Sequence, residues 1–462
     1  MTYLVGRGAP AAIGFAALIS YSHLVPPSVY GYFAVVLGLS NICSGTFTVW
    51  IRIATTRFAA TLNSRSDAMI GLGLFIFAIV LSFVALGTTL AALFVGARTA
   101  LEFFVLVLAL SASDFALDLV RARHDARLYG VLYFARQLSS VAIAFALIFS
   151  AIEINPLVWG MAGGAATTVL LSGRYWLPRA SFAFKRAEIP TFLRYGLPLM
   201  TTYTISSLAN SGDRLLVAVF LGEAAAGLYA LAADFVTQVL NVLMDGVTLG
   251  FLPQAAWALE HEGLDAARNV LRNNAIVLLL IAVPSALGLC VVGPRLAGLL
   301  FGPDFSGAAS ILVPLVSIAI LCRGLRVYFL DNVFQIAHRT GRAALLSLLN
   351  VCVLATTAVL GLPPFGLWWA GLASLVAALF TLAVGVVLAR PLVGENIPWR
   401  EAGQIAAGAA AVNMVAALAI LLIPGAAGIG VAVTAAGALY FLLVRRQNLG
   451  GAAASLFARS RE

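Results

Sequence analysis

Long apolar segments alternate with short polar ones along the whole of this chain. Many of the apolar segments reach about twenty residues, the length of helix that spans the hydrocarbon core of a bilayer. In lipid, only helices and closed β-barrels satisfy all of their backbone hydrogen bonds. Barrel strands are short and alternate apolar with polar residues, which these segments do not. The pattern therefore predicts an all-α fold, a polytopic bundle of transmembrane helices.

Polar and turn-forming residues between the apolar segments predict about fourteen spans. The spans cover residues 9–25, 29–50, 68–96, 100–120, 129–150, 157–172, 195–222, 227–257, 274–293, 308–330, 343–361, 367–389, 402–423 and 427–444. Between the eighth and ninth spans, residues 258–274 predict a short amphipathic helix on the cytoplasmic side.

The composition agrees with a membrane protein, because 62% of the residues are hydrophobic and only 10% are charged. Soluble domains carry about 25% charged residues. Basic residues concentrate in alternate loops and in the tail, and the positive-inside rule places those loops and both termini in the cytoplasm. These basic residues include Arg52, Arg57, Arg65, Arg121, Arg123, Arg127, Arg174, Arg179, Lys185, Arg186, Arg445, Arg446, Arg459 and Arg461. We therefore expect a multi-pass membrane protein. This asymmetry and contacts with lipid headgroups account for the net charge of +9, so no nucleic-acid partner is expected.

Cofactor chemistry has no recognisable signal in the sequence. The four cysteines stand singly within or near the predicted spans, with neither metal-ligand nor disulfide spacing. No P-loop is present for nucleotide binding. We therefore expect no metal site, no cofactor and no ATP hydrolysis by the chain itself.

A long basic segment over residues 173–194 divides the predicted spans into two similar sets. Six spans precede it, and the pattern of spans and basic loops then starts again. Two six-helix bundles related by an axis along the membrane normal are a recurring transporter plan. The sequence thus predicts two pseudo-symmetric six-helix lobes, residues 1–172 and 195–390, and two extra helices with a cytoplasmic tail over 391–462.

Several short motifs stand in order around the start of the second set. They are Tyr195–Pro198 (YGLP), Asp213–Arg214, Leu221–Gly222 and Gly227–Ala230, followed by residues 299–315, "LLFGPDFSGAASILVPL". In this order they resemble the polysaccharide-biosynthesis flippases of the multidrug/oligosaccharidyl-lipid/polysaccharide exporter superfamily. The turn "PPSVYGYF" near the N-terminus is similar to the first external turn of that family.

The resemblance implies a flippase, not an enzyme. Members of the family move undecaprenyl-pyrophosphate-linked sugars from the inner to the outer leaflet for assembly of O-antigen (lipopolysaccharide), capsule or exopolysaccharide. It also implies a place in the bacterial inner membrane, a cationic central cavity, a lipid-linked oligosaccharide as substrate, and partnership with a polysaccharide polymerase and chain-length machinery. Two other interpretations stay open. One is a multidrug or small-molecule cation antiporter of the same fold, and the other is a membrane polysaccharide polymerase or glycosyltransferase.

Charges inside the predicted spans are the candidate functional groups. Each charged residue costs about 2.5–3.5 kcal/mol at the centre of a transmembrane helix. Asp213 and Arg214, in the seventh span, are therefore expected to pair with another helix or to line a wet cavity. Either the pair fixes helix packing, or it forms a cavity wall or an ion site that couples transport.

A second group lies at the cytoplasmic ends of the fourth and tenth spans. Asp114, Asp118, Arg121 and Asp125 fall on one stripe at the end of the fourth span, and Arg323 and Arg326 share a face of the tenth. Since the two spans are counterparts in the two lobes, the acids and bases are predicted to pair across the lobes as a cytoplasmic gate. The alternative is that each group pairs within its own bundle or sits at the interface.

Arginine presents a planar fork of donors that stays charged, which suits a dehydrated pyrophosphate. The candidates for pyrophosphate binding are Arg136, Arg214, Arg323 and Arg326. A polar stripe on the eighth span adds candidates for sugar contacts or ion coupling, at Asp234, Gln238, Asn241 and Asp245. Glu102, near the start of the fourth span, is expected at the membrane interface.

Overall fold

The computed structural model describes the chain at residues 2–61, 66–122, 125–150, 152–176, 183–393, 397–423 and 425–446. Every regular element in these ranges is helical. Basic residues that the sequence assigned to loops at 65, 123, 179, 459 and 461 lie outside the described ranges.

Sixteen α-helices and one π-helical turn make up the described fold. The first unit of the chain contains α1 (Thr2–Leu24), α2 (Pro27–Phe47), α3 (Val49–Thr61), α4 (Ser66–Val95), α5 (Ala97–Ala122), α6 (Ala126–Ile148), α7 (Pro156–Trp176) and α8 (Glu188–Leu221). They are followed by α9 (Glu223–His261), α10 (Leu264–Leu300), α11 (Pro303–Leu325), the π-helical turn Arg326–Leu330, α12 (Asp331–Ile336), α13 (Thr340–Phe365), α14 (Trp368–Val393), α15 (Trp399–Leu422) and α16 (Gly425–Arg446).

Each predicted span coincides with one of these helices, and eleven helical segments of the described chain are long and apolar enough to cross a membrane. The prediction of an all-α, multi-pass membrane protein is therefore confirmed. Two short helices, α3 and α12, extend the plan beyond the predicted spans.

Glycine sets two of the sharp reversals between helices. Gly222 has φ of 86° where α8 ends, and Gly263 has φ of 92° between α9 and α10. Side chains with a Cβ rarely adopt this left-handed backbone, whereas glycine does so without steric cost. Because α9 continues to His261 and α10 starts at Leu264, residues 258–274 are not a separate amphipathic helix. That prediction was wrong, since the long helices extend into the segment from both sides.

Contacts divide the chain into two compact units, Met1–Gly227 and Leu228–Glu462. In the first unit α8 packs along α2 and against α3. The division of the chain into lobes at 173–194 and 391 rests on the proposed repeat, and it stays a prediction.

Close backbone approach joins α2 to the first turn of α9 within the first unit. A Cβ built on Gly31 would overlap the carbonyl oxygen of Glu223, and a Cβ on Gly227 would overlap that of Pro27. The two glycines therefore face each other across the helix crossing, as small residues do in packed transmembrane helices.

Aromatic packing holds α3 in place in the same unit. The ring of Trp50 lies 6.3 Å from that of Phe192, and Phe58 lies 5.7 Å from Tyr195. Trp50 and Phe192 are almost fully buried in a cluster shared with α4 and α5. This anchoring fixes the position of Arg52, which follows Trp50 by two residues on α3.

The second unit has its own apolar core. Phe235 and Phe301 meet edge to face at 5.2 Å, and both are buried. The last two helices pack on α10 through Val292, Ala416 and Ile429. Tyr440 on α16 adds a hydrogen bond of 2.9 Å to the carbonyl of Leu280.

Candidate functional site: an arginine–aspartate cluster on α3, α5 and α6

Asp114 on α5 binds two arginines from two other helices. Its Oδ2 accepts from Nη1 of Arg52 on α3 at 2.7 Å, and its Oδ1 accepts from Nη1 of Arg136 on α6 at 2.8 Å. The arginine side chains are only 14% and 19% exposed. A carboxylate between two guanidinium groups lowers the cost of holding these charges away from bulk water.

One helical turn further along α5, Asp118 extends the cluster. Nε of Arg52 lies 3.1 Å from Oδ2 of Asp118, and Nη2 of Arg121 donates to Oδ1 at 2.8 Å. The spacing of four residues puts both aspartates on the side of α5 that faces Arg52. The chain of ion pairs thus contains three arginines and two aspartates, and its net charge is positive.

The pair of Asp114 and Arg136 lies well inside the helices that carry it, whereas Arg121 lies at the end of α5. Asp114 is eight residues before the end of α5 and Arg136 ten residues after the start of α6, about 12 and 15 Å by the helix rise. Asp125 lies beyond α5 and does not continue the stripe. Its side chain accepts from the backbone N–H of Leu128 at 2.9 Å and caps α6.

A polar cavity of about 300 Å³ opens beside the cluster within the first unit. Asp114, Arg136, Gln137 and Ser140 contribute its polar wall, with Tyr133 and Met161 beside them. Arg136 therefore has an ion pair on one side and open, polar space on the other. Such a site can accept an anion, because a guanidinium has five N–H donors and the ion pair with Asp114 engages only some of them.

Arg326 lies in a different environment, at the start of the π-helical turn in the second unit. It is 4% exposed, donates to Oγ of Ser347 at 3.2 Å, and lies 3.7 Å from Oδ2 of Asp331. Asn274 and Asn332 both donate to the carbonyl of Tyr328 within this turn. The carbonyl of Tyr328 in this wide turn thus has two amide donors, and π-helical turns are frequent at functional sites.

The remaining candidates are all half-buried. Arg323 lies three residues before Arg326, and the backbone N–H of Arg214 donates to Oδ1 of Asp213 at 2.8 Å. The stripe on α9 is half-buried along its length, at Asp234, Gln238, Asn241 and Asp245.

The contacts of Asp114 and Asp118 agree with the alternative in which acids pair within their own bundle. Both bind arginines of the first unit, and Arg326 approaches Asp331 of the second. Pairing of these aspartates with Arg323 and Arg326 as a gate stays a prediction.

Sequence reasoning missed Arg52 as a functional residue, and it did not predict that Glu102 is buried within the protein. Arg52 was assigned to a basic loop, yet it lies within α3 and links both aspartates. The signal was the apolar run around it, "VWIRIATTRF", which continues the helix past the predicted span. Glu102 is 2% exposed and accepts from Nε of Arg98 and Nε1 of Trp159, each at 3.4 Å. Its carboxylate is thus buried within the protein near the start of α5, and its place at the membrane interface stays a prediction.

The fold and the cluster together define a polytopic helical membrane protein with paired charges inside its helices. Comparison with known proteins gives its family. A family model described as "Polysaccharide biosynthesis protein" matches residues 23–310. The chain belongs to this family, and the resemblance seen in its motifs is confirmed.

Two curated relatives and one solved structure add detail. The chain is 23% identical to the amylovoran biosynthesis protein AmsL of Erwinia amylovora over 47% of its own length and 55% of that protein. It is also 23% identical to the probable low-salt glycan biosynthesis flippase Agl15 of Haloferax volcanii, over 55% and 52% of the two chains. It thus matches about half the length of each relative.

The solved structure is similar over nearly the whole chain. The lipid II flippase MurJ in an inward closed conformation superposes with a TM-score of 0.76 over 96% of this chain and 97% of that one, at 10% identity. At this identity the likeness establishes the fold that the two proteins share.

Proposed function

We propose that the protein is a flippase that moves polyprenyl-pyrophosphate-linked oligosaccharide repeat units from the inner to the outer leaflet by alternating access. The units would serve the assembly of a surface polysaccharide. Family membership, a relative named as a probable glycan biosynthesis flippase, and a fold like that of a lipid II flippase support this proposal.

The observation that carries it is the position of Arg136 between Asp114 and a polar cavity. A pyrophosphate that enters the membrane must exchange water for fixed donors. Arg136 supplies a planar, permanently charged fork for that exchange. The excess of arginine over aspartate in the cluster gives the site the sign that a pyrophosphate requires.

In this mechanism Asp114 keeps the arginines paired when substrate is absent. An incoming pyrophosphate competes with the carboxylate for N–H donors of Arg136, while Arg52 remains bound to Asp118. The substrate then drives the transition only to the extent that it binds the two transport states with different affinity. That difference would arise if Arg136 is held by Asp114 in one state and is released to the pyrophosphate in the other.

The other candidates have subsidiary roles in the proposal. Arg214, Arg323 and Arg326 are further pyrophosphate contacts, and the half-buried polar groups of α8 and α9 contact sugars or couple an ion. The protein would lie in the bacterial inner membrane with both termini in the cytoplasm. It would supply substrate to a polysaccharide polymerase and its chain-length machinery.

Reconstitution tests the proposal directly. Purified protein in liposomes is given a fluorescent polyprenyl-pyrophosphate oligosaccharide, and its transfer is followed by accessibility to a membrane-impermeant lectin or quencher. Wild-type protein and Arg174→Ala, a control at the exposed end of α7, are expected to transfer it, and Arg136→Ala to lose most transfer. Transport of cationic drugs with no transfer of the lipid-linked sugar would instead support an antiporter.

A further inference from the structure

An apolar groove runs along the first unit, from Thr99 at the start of α5 to Phe47 at the end of α2. It has a volume of about 810 Å³ and is lined by α2, α4 and α5. Both α2 and α4 pack on α5. The wall is mostly aliphatic and aromatic, with Leu39 and Phe47 on α2 and Phe83 on α4.

The groove has the dimensions of a lipid chain site. From Tyr32 to Phe47 it follows α2 for fifteen residues, about 22 Å by the helix rise. This length is enough for an acyl chain that spans the hydrocarbon layer of one leaflet, which is about 15 Å thick. The outer surface of α4 is strongly apolar, with Phe83 70% exposed and Leu93 80% exposed, so the groove adjoins lipid.

One end of the groove is polar and carries both signs of charge. Tyr32, Thr99 and Glu223 line it there. The contact between Gly31 and the carbonyl of Glu223 brings the start of α9 to this end. Arg98 precedes Thr99, and its side chain is 60% exposed beside Glu102. An exposed carboxylate and an exposed guanidinium thus flank the mouth of an apolar channel.

We propose that this groove binds one phospholipid with a zwitterionic ethanolamine headgroup. An acyl chain fills the apolar channel, the ammonium group binds Glu223, and the phosphate binds Arg98. A prenyl pyrophosphate has no positive group, so the carboxylate of Glu223 disfavours it. An anionic phospholipid meets the same disadvantage. The headgroup site is separate from the arginine–aspartate cluster, because Arg98 lies at the start of α5 and Asp114 lies sixteen residues further along that helix.

Gly87 offers a way to close the channel without disturbing the protein. It lines the groove, and a Cβ built on it meets no atom within 4 Å. Gly87→Phe therefore places a ring in the space assigned to the acyl chain. Leu86→Phe is the matched control, because Leu86 directly precedes Gly87 and is 58% exposed on the lipid side. Gly87→Leu is a smaller filling variant if the larger one lowers the yield of folded protein.

Native mass spectrometry of the full chain in detergent measures the binding. The protein is equilibrated with equal amounts of phosphatidylethanolamine, phosphatidylglycerol and phosphatidylcholine that have the same acyl chains. Wild type and Leu86→Phe are expected to retain about one phosphatidylethanolamine, as a single groove site requires. Gly87→Phe and Gly87→Leu are expected to lose it while their melting temperatures stay near that of wild type.

Charge variants test the headgroup assignment. Glu223→Gln is expected to lower the preference for phosphatidylethanolamine over phosphatidylglycerol about two- to fivefold, the range of an exposed charge pair. Glu260→Gln, an exposed acid at the far end of α9, is the control and should leave the preference unchanged. The proposal is overturned if filling and control variants retain lipid equally, if phosphatidylglycerol or phosphatidylcholine is preferred, or if both glutamate variants behave alike.

Discussion

Asp114 and Arg136 form an ion pair of 2.8 Å between α5 and α6, beside a polar cavity. The same carboxylate also binds Arg52 of α3 at 2.7 Å. Three helices thus depend on one aspartate to balance two arginines. This arrangement gives Asp114 a role in both stability and the proposed handling of an anion.

Removal of the charge at Asp114 tests its structural role. Asp114→Asn keeps the size of the side chain but withdraws the carboxylate from Arg52 and Arg136. We expect a loss of about 1–3 kcal/mol in the free energy of unfolding, less than for a fully buried pair because Asp114 is 37% exposed. Thermal unfolding in detergent measures it, with Asp67→Asn at the exposed start of α4 as control. Equal melting temperatures for the two variants would contradict this role.

Charge reversal separates pairing within the first unit from the predicted gate. Asp118→Arg places a third positive group beside Arg52 and Arg121, so we expect it to lose stability and transport. If the pair with Arg52 is the essential one, adding Arg52→Glu restores part of both properties, since the new carboxylate also lies beside Asp114. If the gate is essential, adding Arg323→Asp restores transport instead. Rescue by neither double variant would argue against both pairings as requirements for transport.

The helix crossing at Gly31 and Gly227 gives a prediction about packing. Gly31→Ala pushes a methyl group against the carbonyl of Glu223, so we expect destabilisation by about 1–3 kcal/mol. Gly437→Ala in α16 is the control, since its added Cβ meets no atom within 4 Å. That control is expected to be neutral or slightly stabilising, because alanine favours helix by up to about 1 kcal/mol. Thermal unfolding of the two variants decides whether the approach is as close as described.

The helices were predictable because apolar length alone determines where a chain can cross a membrane. The spacing of Asp114 and Asp118 also placed the two acids on one face, and Arg52 contacts both. Their partner was not predictable, because it depends on how α3 is rotated and anchored by Trp50 and Phe192. The predicted span ended just before Arg52 because a charged residue was taken to mark the end of the helix. Arg52 was therefore assigned to a loop.

Arg136→Lys distinguishes a forked anion site from a simple positive charge. Lysine keeps the charge that pairs with Asp114, so the melting temperature is expected to stay close to that of wild type. The lysine variant loses the planar set of donors that matches a pyrophosphate. If one charged hydrogen bond of about 1.5–3 kcal/mol is lost, KM for the lipid-linked oligosaccharide rises about tenfold or more. Initial rates in liposomes over a range of substrate densities measure that change. An unchanged KM for Arg136→Lys, together with full transfer by Arg136→Ala, would remove Arg136 from the binding site and leave its pair with Asp114 as a packing device.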